Sequence, residues 1–488
     1  MSVFGGLHIA NSGLFANQKA LEIISKNIAN ANTVGYSRQQ VLLTPAAYDM
    51  GVEISSVIQV REEYLDSQYR SELCRLGEWR TRTEAFNMIE DFFKEPSEQG
   101  LNHAIGVFFN SIQELSKNPE SMEIRTQALQ NALTLTDSFH YIYDKLIELQ
   151  DNQNSRIESA VSEINKLATE IVELNKEIKR YEIRGDQKEN DLRDLRNNVI
   201  DKLSELINIT VGENPDGTVS VRIGDEYLVD SETANRIETV LDSPNMVDGE
   251  NMLYSVRWAD SGELVEITSG KVKGFLDIRD GCGITEIYNP KFYGIPFFVN
   301  EINLLAKTLI GAINDIHRNG YTIPNDSNGN TSETGLAFFV PEDIENAASA
   351  KNISVSQYII RNVYNIATSD EPVDMYNQGN NVIIKQIADL RDKKDIMITI
   401  GGVTTTIGSF EGYTNKIASE LAVVSDGCQT RFESQEIITR NVENKRLSVS
   451  GVSIDEEMTN MIKFQNAYVA SARVITSINT MLEALLNI

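Results

Sequence analysis

The C-terminal stretch from Gly451 to Ile488 constrains this chain more than any other. Chain ends ordinarily fray and carry polar filler. Here Ile454, Met458, Met461, Gln465, Tyr468, Ala472, Ile475, Asn479, Leu482 and Leu486 recur at alternating spacings of four and three. That is a heptad seam with two polar interruptions, the pattern of a helix laid along a partner helix. Ser453 and Glu456 stand at capping-box spacing, and Asp455, Glu456 and Glu457 put negative charge at the positive end of the helix dipole. Burying the large seam residues yields on the order of 10 kcal/mol, whereas ordering the backbone of such a helix costs at least ~1 kcal/mol per residue. The helix needs a partner, from this chain or from another.

Residues 3–30 carry a second heptad. Leu7, Leu14, Leu21 and Ile28 recur every seven residues, with Ala10, Asn17, Ile24 and Ala31 between them. Gly13 weakens this helix by roughly 1 kcal/mol relative to Ala, so packing must hold it. Lys19, Glu22 and Lys26 are its only charges before Arg38, fewer than a solvated helix carries, which implies contacts on more than one face. The run from Ala29 to Gln39 then stops the helix with residues that tolerate positive φ. Both ends are thus low-charge seam helices of roughly 40 Å at 1.5 Å per residue. The simplest arrangement pairs them and inserts the rest of the chain between them.

The interior reads as mainly α. From 60 to 206 the apolar periodicity is helical, including a long run through Ile157, Ile164, Ile171 and Ile178. Asn118-Pro119 is expected to close one helix and open the next. Near Ile207 the period changes to two, and Pro215-Asp216-Gly217 signals a hairpin. The expected architecture is a long helical bundle built from the N- and C-terminal parts of the chain, with an inserted small β domain and a smaller α/β insertion. Its divisions are 1–32 with 451–488 as paired coiled-coil helices, and 33–206, 271–320 and 381–450 as a helical core. Residues 207–270 form the β domain and 321–380 the small mixed insertion.

With 488 residues the chain can bury several cores, and its net charge of −27 disfavours nucleic acid and anionic membrane surfaces. No apolar run reaches membrane-spanning length, and no Sec-type leader is recognisable. Cys74, Cys282 and Cys428 form neither a disulfide framework nor a metal pair. His8, His103, His140 and His317 lack ligand spacing. No phosphate-binding loop, nucleophile elbow or zincin motif occurs. Asp326, Asn328 and Asn330 suggest a calcium loop, but Thr331 and Ala337 occupy the positions that need Gly and Glu. Arg184-Gly185-Asp186 is a three-residue match in a polar turn and carries no weight. The expectation is a protein that is not an enzyme and has no cofactor or metal.

The run "NIANANTVGYSRQ" resembles the N-terminal motif of the bacterial flagellar rod, hook and hook-associated proteins. "SVSGVSIDEEMTNMIKFQNAYVASARVITSINTMLEALLNI" resembles the matching C-terminal motif. The Tyr36-Ser37-Arg38-Gln39 ending and the "SGVSIDEEM" opening are closest to the hook-associated members at the hook–filament junction. The resemblance implies a structural protein of the extracellular flagellum, exported without a cleaved signal peptide and self-assembling as a ring at the hook tip. It implies as partners further copies of itself, the flagellar hook protein, hook-associated protein 3, and an export chaperone on the C-terminal region. The expected assembly interface comprises Leu7, Leu14, Leu21 and Ile28 on the first helix, and Met458, Met461, Gln465, Tyr468, Ile475 and Leu482 on the last. Asn30, Asn32, Thr33, Gly35 and Tyr36 are expected to set the turn into the body. A distal rod or hook subunit, or from another class a coiled-coil adhesin, stays open as an alternative.

Overall fold

The computed structural model describes residues 3–46, 51–94, 97–98, 100–183, 188–245, 247, 251–283, 292–325, 331–342, 348–374, 376–400 and 403–486. The Arg184-Gly185-Asp186 match and the Asp326, Asn328 and Asn330 run lie outside them. The chain opens with α1 (Val3–Ala29) and a hairpin of β1 (Gln39–Pro45) and β2 (Val52–Gln59). Four helices follow: α2 (Glu63–Phe93), α3 (Leu101–Lys117), α4 (Met122–Glu182) and α5 (Asn190–Leu206). The strands β3 (Thr210–Glu213), β4 (Val219–Ile223), β5 (Glu226–Asp230) and β6 (Thr233–Ala234) form one antiparallel sheet, and β7 (Ile237–Pro244) pairs with β8 (Met252–Trp258). Next come α6 (Lys271–Asp280), α7 (Ile295–His317), a β9 (Phe339–Pro341) and β10 (Ile353–Val355) pair, α8 (Gln357–Arg361) and α9 (Val382–Asp389). The hairpin β11 (Ile396–Ile400) and β12 (Val403–Gly408) leads into α10 (Phe410–Ser450) and α11 (Ile454–Leu486). The chain is mainly α, with small antiparallel sheets inserted between long terminal helices.

Helix α4 organises the body. It starts at Met122, three residues later than Asn118-Pro119 suggests, because Ser121 is the N-cap and its Oγ accepts from the Ile124 N–H at 3.4 Å. From there it runs 61 residues, roughly 90 Å at 1.5 Å per residue, through two apolar cores. Its first half, from Ala128 to Leu149, packs with α3, α7, α9 and the start of α10. Phe108, Phe338 and Phe339 cluster there with ring centroids 4.8–5.9 Å apart, and Phe410 stacks on Phe109. Residues of 321–380 such as Phe338, Ile353 and Ile366 belong to this core. The second half of α4, from Ile157 to Val172, packs with α5 and the β3–β8 strands through Val199, Ile200, Val221, Val229 and Ile237. The hairpin at Pro215-Asp216-Gly217 joins β3 to β4 in register, Val211 opposite Val221. Gly217 takes φ +83° there, a conformation open to glycine. The stretch "ELVEITSG" contributes one antiparallel bridge, Leu264 to Arg257 at the end of β8.

Hairpin β1–β2 was hidden in the sequence, and it lies against α1: Ser12 Oγ accepts from the Val52 N–H at 3.1 Å. At the other end, α10 runs back along α2, and Gln435 and Thr439 donate to the Glu72 carbonyl. It ends at Ser450, whose carbonyl accepts from the Arg38 N–H at 2.8 Å. Both terminal arms therefore leave the body side by side.

Candidate functional site: the terminal helix pair and its junction

Helices α1 and α11 pack on each other. A Cβ on Gly6 would meet Ile478 at 3.4 Å and one on Gly13 would meet Ser471 at 3.4 Å. Asn27 Nδ2 donates to Glu457 at 3.0 Å. Residues 6, 13 and 27 thus face 478, 471 and 457, so each step forward along α1 is an equal step back along α11. The pair is antiparallel in a seven-residue register, which sets Ala20 opposite Phe464. The contact line on α1 is therefore Gly6, Gly13, Ala20 and Asn27, small residues that let the helices approach.

The bulkier line Leu7, Leu14, Leu21 and Ile28 sits one residue further on and is half-buried, flanking the contact. On α11, Met461, Tyr468, Ile475 and Leu482 are half-buried, whereas Met458 and Gln465 are exposed. The second contact line runs through Glu457, Phe464, Ser471 and Ile478, one residue before Met458 and Gln465. The faces turned away from the pair set exposed apolar side chains among polar ones: Phe15 is 59% exposed, Ile462 57% and Met481 58%, and Ile9, Ile454, Met458, Val469 and Val474 are exposed as well.

The junction begins at Asn27, a buried carboxamide with all four hydrogen bonds made. Its Oδ1 accepts from Tyr36 OH at 2.9 Å and the Gln39 N–H at 3.0 Å; its Nδ2 donates to the Gln39 carbonyl at 2.9 Å and to Glu457. Asn30 continues the turn, donating to the Lys26 carbonyl at 3.0 Å and accepting from Thr33 Oγ1 at 3.3 Å. Gly35 takes φ +79°, and a Cβ there would overlap the Asn198 carboxamide. Asn32 is exposed and stands apart. Burial, then Asp191, Asp194 and Glu457, raises the Tyr36 phenol well above its ordinary value, so it stays a donor.

Beneath the turn lies a ladder of alternating charges. Asp194 accepts from the Ser37 N–H at 3.1 Å, Ser37 Oγ at 2.7 Å and Gln59 at 2.8 Å, and lies 3.4 Å from Arg61. Arg61 pairs with Asp66 at 2.8 Å; Asp66 is 3.7 Å from Arg446, Arg446 is 2.7 Å from Asp201, and Asp201 is 2.7 Å from Arg70. Burial pushes the Asp194 carboxyl up, against the pull of Ser37 and Arg61. For Asp201 burial acts the same way, but Arg70 and Arg446 outweigh it and hold the carboxyl below its ordinary range. Two exposed pairs finish the joint, Lys26 with Asp191 at 2.7 Å and Arg38 with Glu456 at 2.8 Å. Glu456 therefore serves the joint, while Ser453 Oγ caps the Glu456 N–H at 3.4 Å.

Asn27 had a sequence signal, since it continues the seven-residue line of small residues. The ladder had none, because its rungs lie far apart, 133 positions between Arg61 and Asp194 and 245 between Asp201 and Arg446. Among the described residues no group of three or more His, Cys, Asp or Glu side chains could hold a metal ion, and no helix is long and apolar enough to cross a membrane.

Residues 86–339 match the model of the flagellar hook-associated protein FlgK helical domain. Residues 7–36 match that of the flagella basal body rod protein, and residues 443–488 that of the flagellar basal body rod FlgEFG protein C-terminal region. The chain is 29% identical to flagellar hook-associated protein 1 of Bacillus subtilis, covering 100% of this chain and 98% of that one. It is 24% identical to flagellar hook-associated protein 1 of Salmonella typhimurium, over 98% and 99% of the two chains. The solved structure of the flagellar hook junction protein FlgK from Burkholderia pseudomallei shares the fold, with a TM-score of 0.59 at 13% identity, covering 79% of this chain and 100% of that one.

Proposed function

The chain belongs to the flagellar hook-associated FlgK family, whose helical-domain model spans more than half of it, and from that premise we propose that it joins hook to filament as a self-assembling ring at the hook tip. It is a structural component of the bacterial flagellum. The observation that carries the finer reading is the pair α1–α11, closed on one face and carrying large apolar side chains exposed on the others. Two helices in water are marginal alone, and exposed apolar strips of this kind mark interaction surfaces. Covering the eight exposed side chains, Ile9, Phe15, Ile454, Met458, Ile462, Val469, Val474 and Met481, at about 1 kcal/mol each for the half still to be buried, yields on the order of 8 kcal/mol per subunit. Folding of the terminal arms and assembly are then one event. Leu7, Leu14, Leu21, Ile28, Met461, Tyr468, Ile475 and Leu482, at the edges of the pair, reach neighbouring copies together with Met458 and Gln465.

The same reading gives the protein the hook protein below it, hook-associated protein 3 above it, and an export chaperone that covers α11 before assembly through the flagellar type III route. The experiment is removal of residues 451–488, with the product mixed with purified hooks and imaged by negative stain. The expected outcome is a soluble, still helical monomer that caps no hooks, while the full chain does. Normal capping by the truncated chain refutes the assembly role of α11, and global unfolding refutes the separability of the pair.

A further inference from the structure

Helix α5 serves two parts of the molecule. Its first turns carry Asp191 and Asp194, which hold the joint of the terminal arms through Lys26, Ser37 and Gln59. Further along, Val199, Ile200 and Leu203 belong to the core of the β domain. From Asp194 to Val199 is roughly 8 Å of helix at 1.5 Å per residue. The β domain therefore stands at the root of the arms, and copies that meet through their arms bring their β domains alongside one another.

Charge divides unevenly between these two parts. Residues 1–32 carry Lys19 and Lys26 against Glu22, and residues 451–488 carry Lys463 and Arg473 against four carboxylates, so the arms together have a net charge of −1. The β domain, residues 207–270, sets thirteen carboxylates against Arg222, Arg236 and Arg257, a net charge of −10 in 64 residues. Four of its carboxylates are paired: Glu213 with Arg193, Asp216 and Glu232 with Lys179, and Asp242 with Arg257. Asp225, Glu226, Asp230, Glu238 and Glu263 are exposed, with no cation in ion-pair range among the described residues. No division of the chain carries a net charge above +1, so a neighbouring copy offers the β domain no cationic division to pair with.

Resting on the assembly reading above, we propose that the β domain is a self-repelling spacer, which opposes contact between copies of this chain until ions screen its charge. Like-charged surfaces repel and keep molecules apart in solution. The repulsion reaches ~30 Å at 10 mM ionic strength but only about 8 Å at 150 mM. The apolar contacts of the near-neutral arms do not depend on that screening. Assembly therefore tightens as salt rises, the reverse of an interface built on exposed ion pairs, which salt weakens. The arms supply the attraction, and the domain at their root sets the ionic strength at which it prevails.

The test is light scattering of the full-length chain over a concentration series in sodium chloride at about 10 mM and about 150 mM, which gives the concentration at which copies associate. A variant combining Asp225→Asn, Glu226→Gln, Asp230→Asn, Glu238→Gln and Glu263→Gln halves the net charge of the β domain without touching an arm, and circular dichroism checks its fold. The association concentration of the wild type should fall at least about tenfold from the low to the high salt. The variant should associate at low salt at a concentration at least about threefold below the wild type, and the two should converge at high salt. Wild-type association that salt weakens or leaves unchanged overturns the spacer alone. A folded variant with the same salt response as the wild type overturns it too, since the response then comes from elsewhere. Association at neither ionic strength overturns the assembly reading and the spacer with it.

Discussion

Replacing Asn27 by alanine removes four hydrogen bonds at once, two given and two received, from a side chain that is 1% exposed. At a net ~1 kcal/mol per bond the loss is about 4 kcal/mol. Rehydration of Tyr36 OH and Glu457 once the joint loosens returns part of it, leaving about 3 kcal/mol. Because the side chain ties α1 to β1 and to α11, the loss falls on the opening of the terminal pair rather than on the body. Amide hydrogen exchange reads this directly. Amides of α1 and α11 should exchange about 100-fold faster, at 1.4 kcal/mol per factor of ten, with those of α4 unchanged. Asn27→Asp should accelerate exchange at least as much, since it keeps the shape but sets a second carboxylate against Glu457. Unchanged exchange in α1 and α11 would show that Asn27 does not order the joint, and the reasoning would fall.

Three further outcomes follow from single positions. His317 is fully buried, with Nε2 accepting from the Ala367 N–H at 2.9 Å and Nδ1 bonded to the Leu336 carbonyl at 2.7 Å. Burial pushes its pKa from 6.5 to about 4. The unfolded chain binds the extra proton between those values, so stability is complete above pH 6.5 and falls by about 3 kcal/mol as pH drops to 4. Urea unfolding from pH 7 to 4 should lose that slope in His317→Gln. Gly35→Ala forces a positive φ on a residue with a Cβ and drives that Cβ into Asn198; it should cost at least about 1–2 kcal/mol, read as a lowered Tm, and Asn198→Ala should restore only the steric part. Asp201→Asn leaves Arg70 and Arg446 facing each other without their shared counter-charge and should cost about 3 kcal/mol in urea unfolding. The wild-type carboxylate, held low, contributes stability above its ordinary range that is lost as pH falls through the folded pKa, and the variant should lack that dependence.

The helices were legible because they are long and periodic: Ile157 to Ile178 lies on one buried face of α4, and the Ile454 to Leu482 pattern is α11. The pairing of the two chain ends was legible too, since matched low-charge seams had nowhere better to pack. The face of each seam was less so. Large residues dominate a reading of periodicity, and Leu7, Leu14, Leu21 and Ile28 overshadow the adjacent line of Gly6, Gly13, Ala20 and Asn27. Yet the closest approach of two helices belongs to the small line, with leucines flanking it. Hairpin β1–β2 stayed hidden because Gln39 to Gln59 is apolar on no single face; Leu42, Leu43, Val52 and Ile54 are all exposed. The charge ladder lay beyond any local pattern, because its rungs come from the linker between β2 and α2, from α2, from α5 and from α10.

The placement of apolar and polar contacts separates the molecule into parts of different character. Neither apolar core contains a residue of α1 or α11. The body is held by extensive burial, which is strong and tolerant of direction, and α4 passes through both cores, so the helical part and the β domain share one continuous spine. The terminal pair is held to that body by hydrogen bonds and ion pairs at Asn27, Tyr36, Arg38 and Asp191. Each such bond contributes only about 1 kcal/mol net but is strict in geometry. A joint of this kind fixes the angle of the pair. It suits the proposed assembly, in which neighbouring copies complete the apolar surface of the arms, because closing the arms against another copy then asks for no rearrangement of either core.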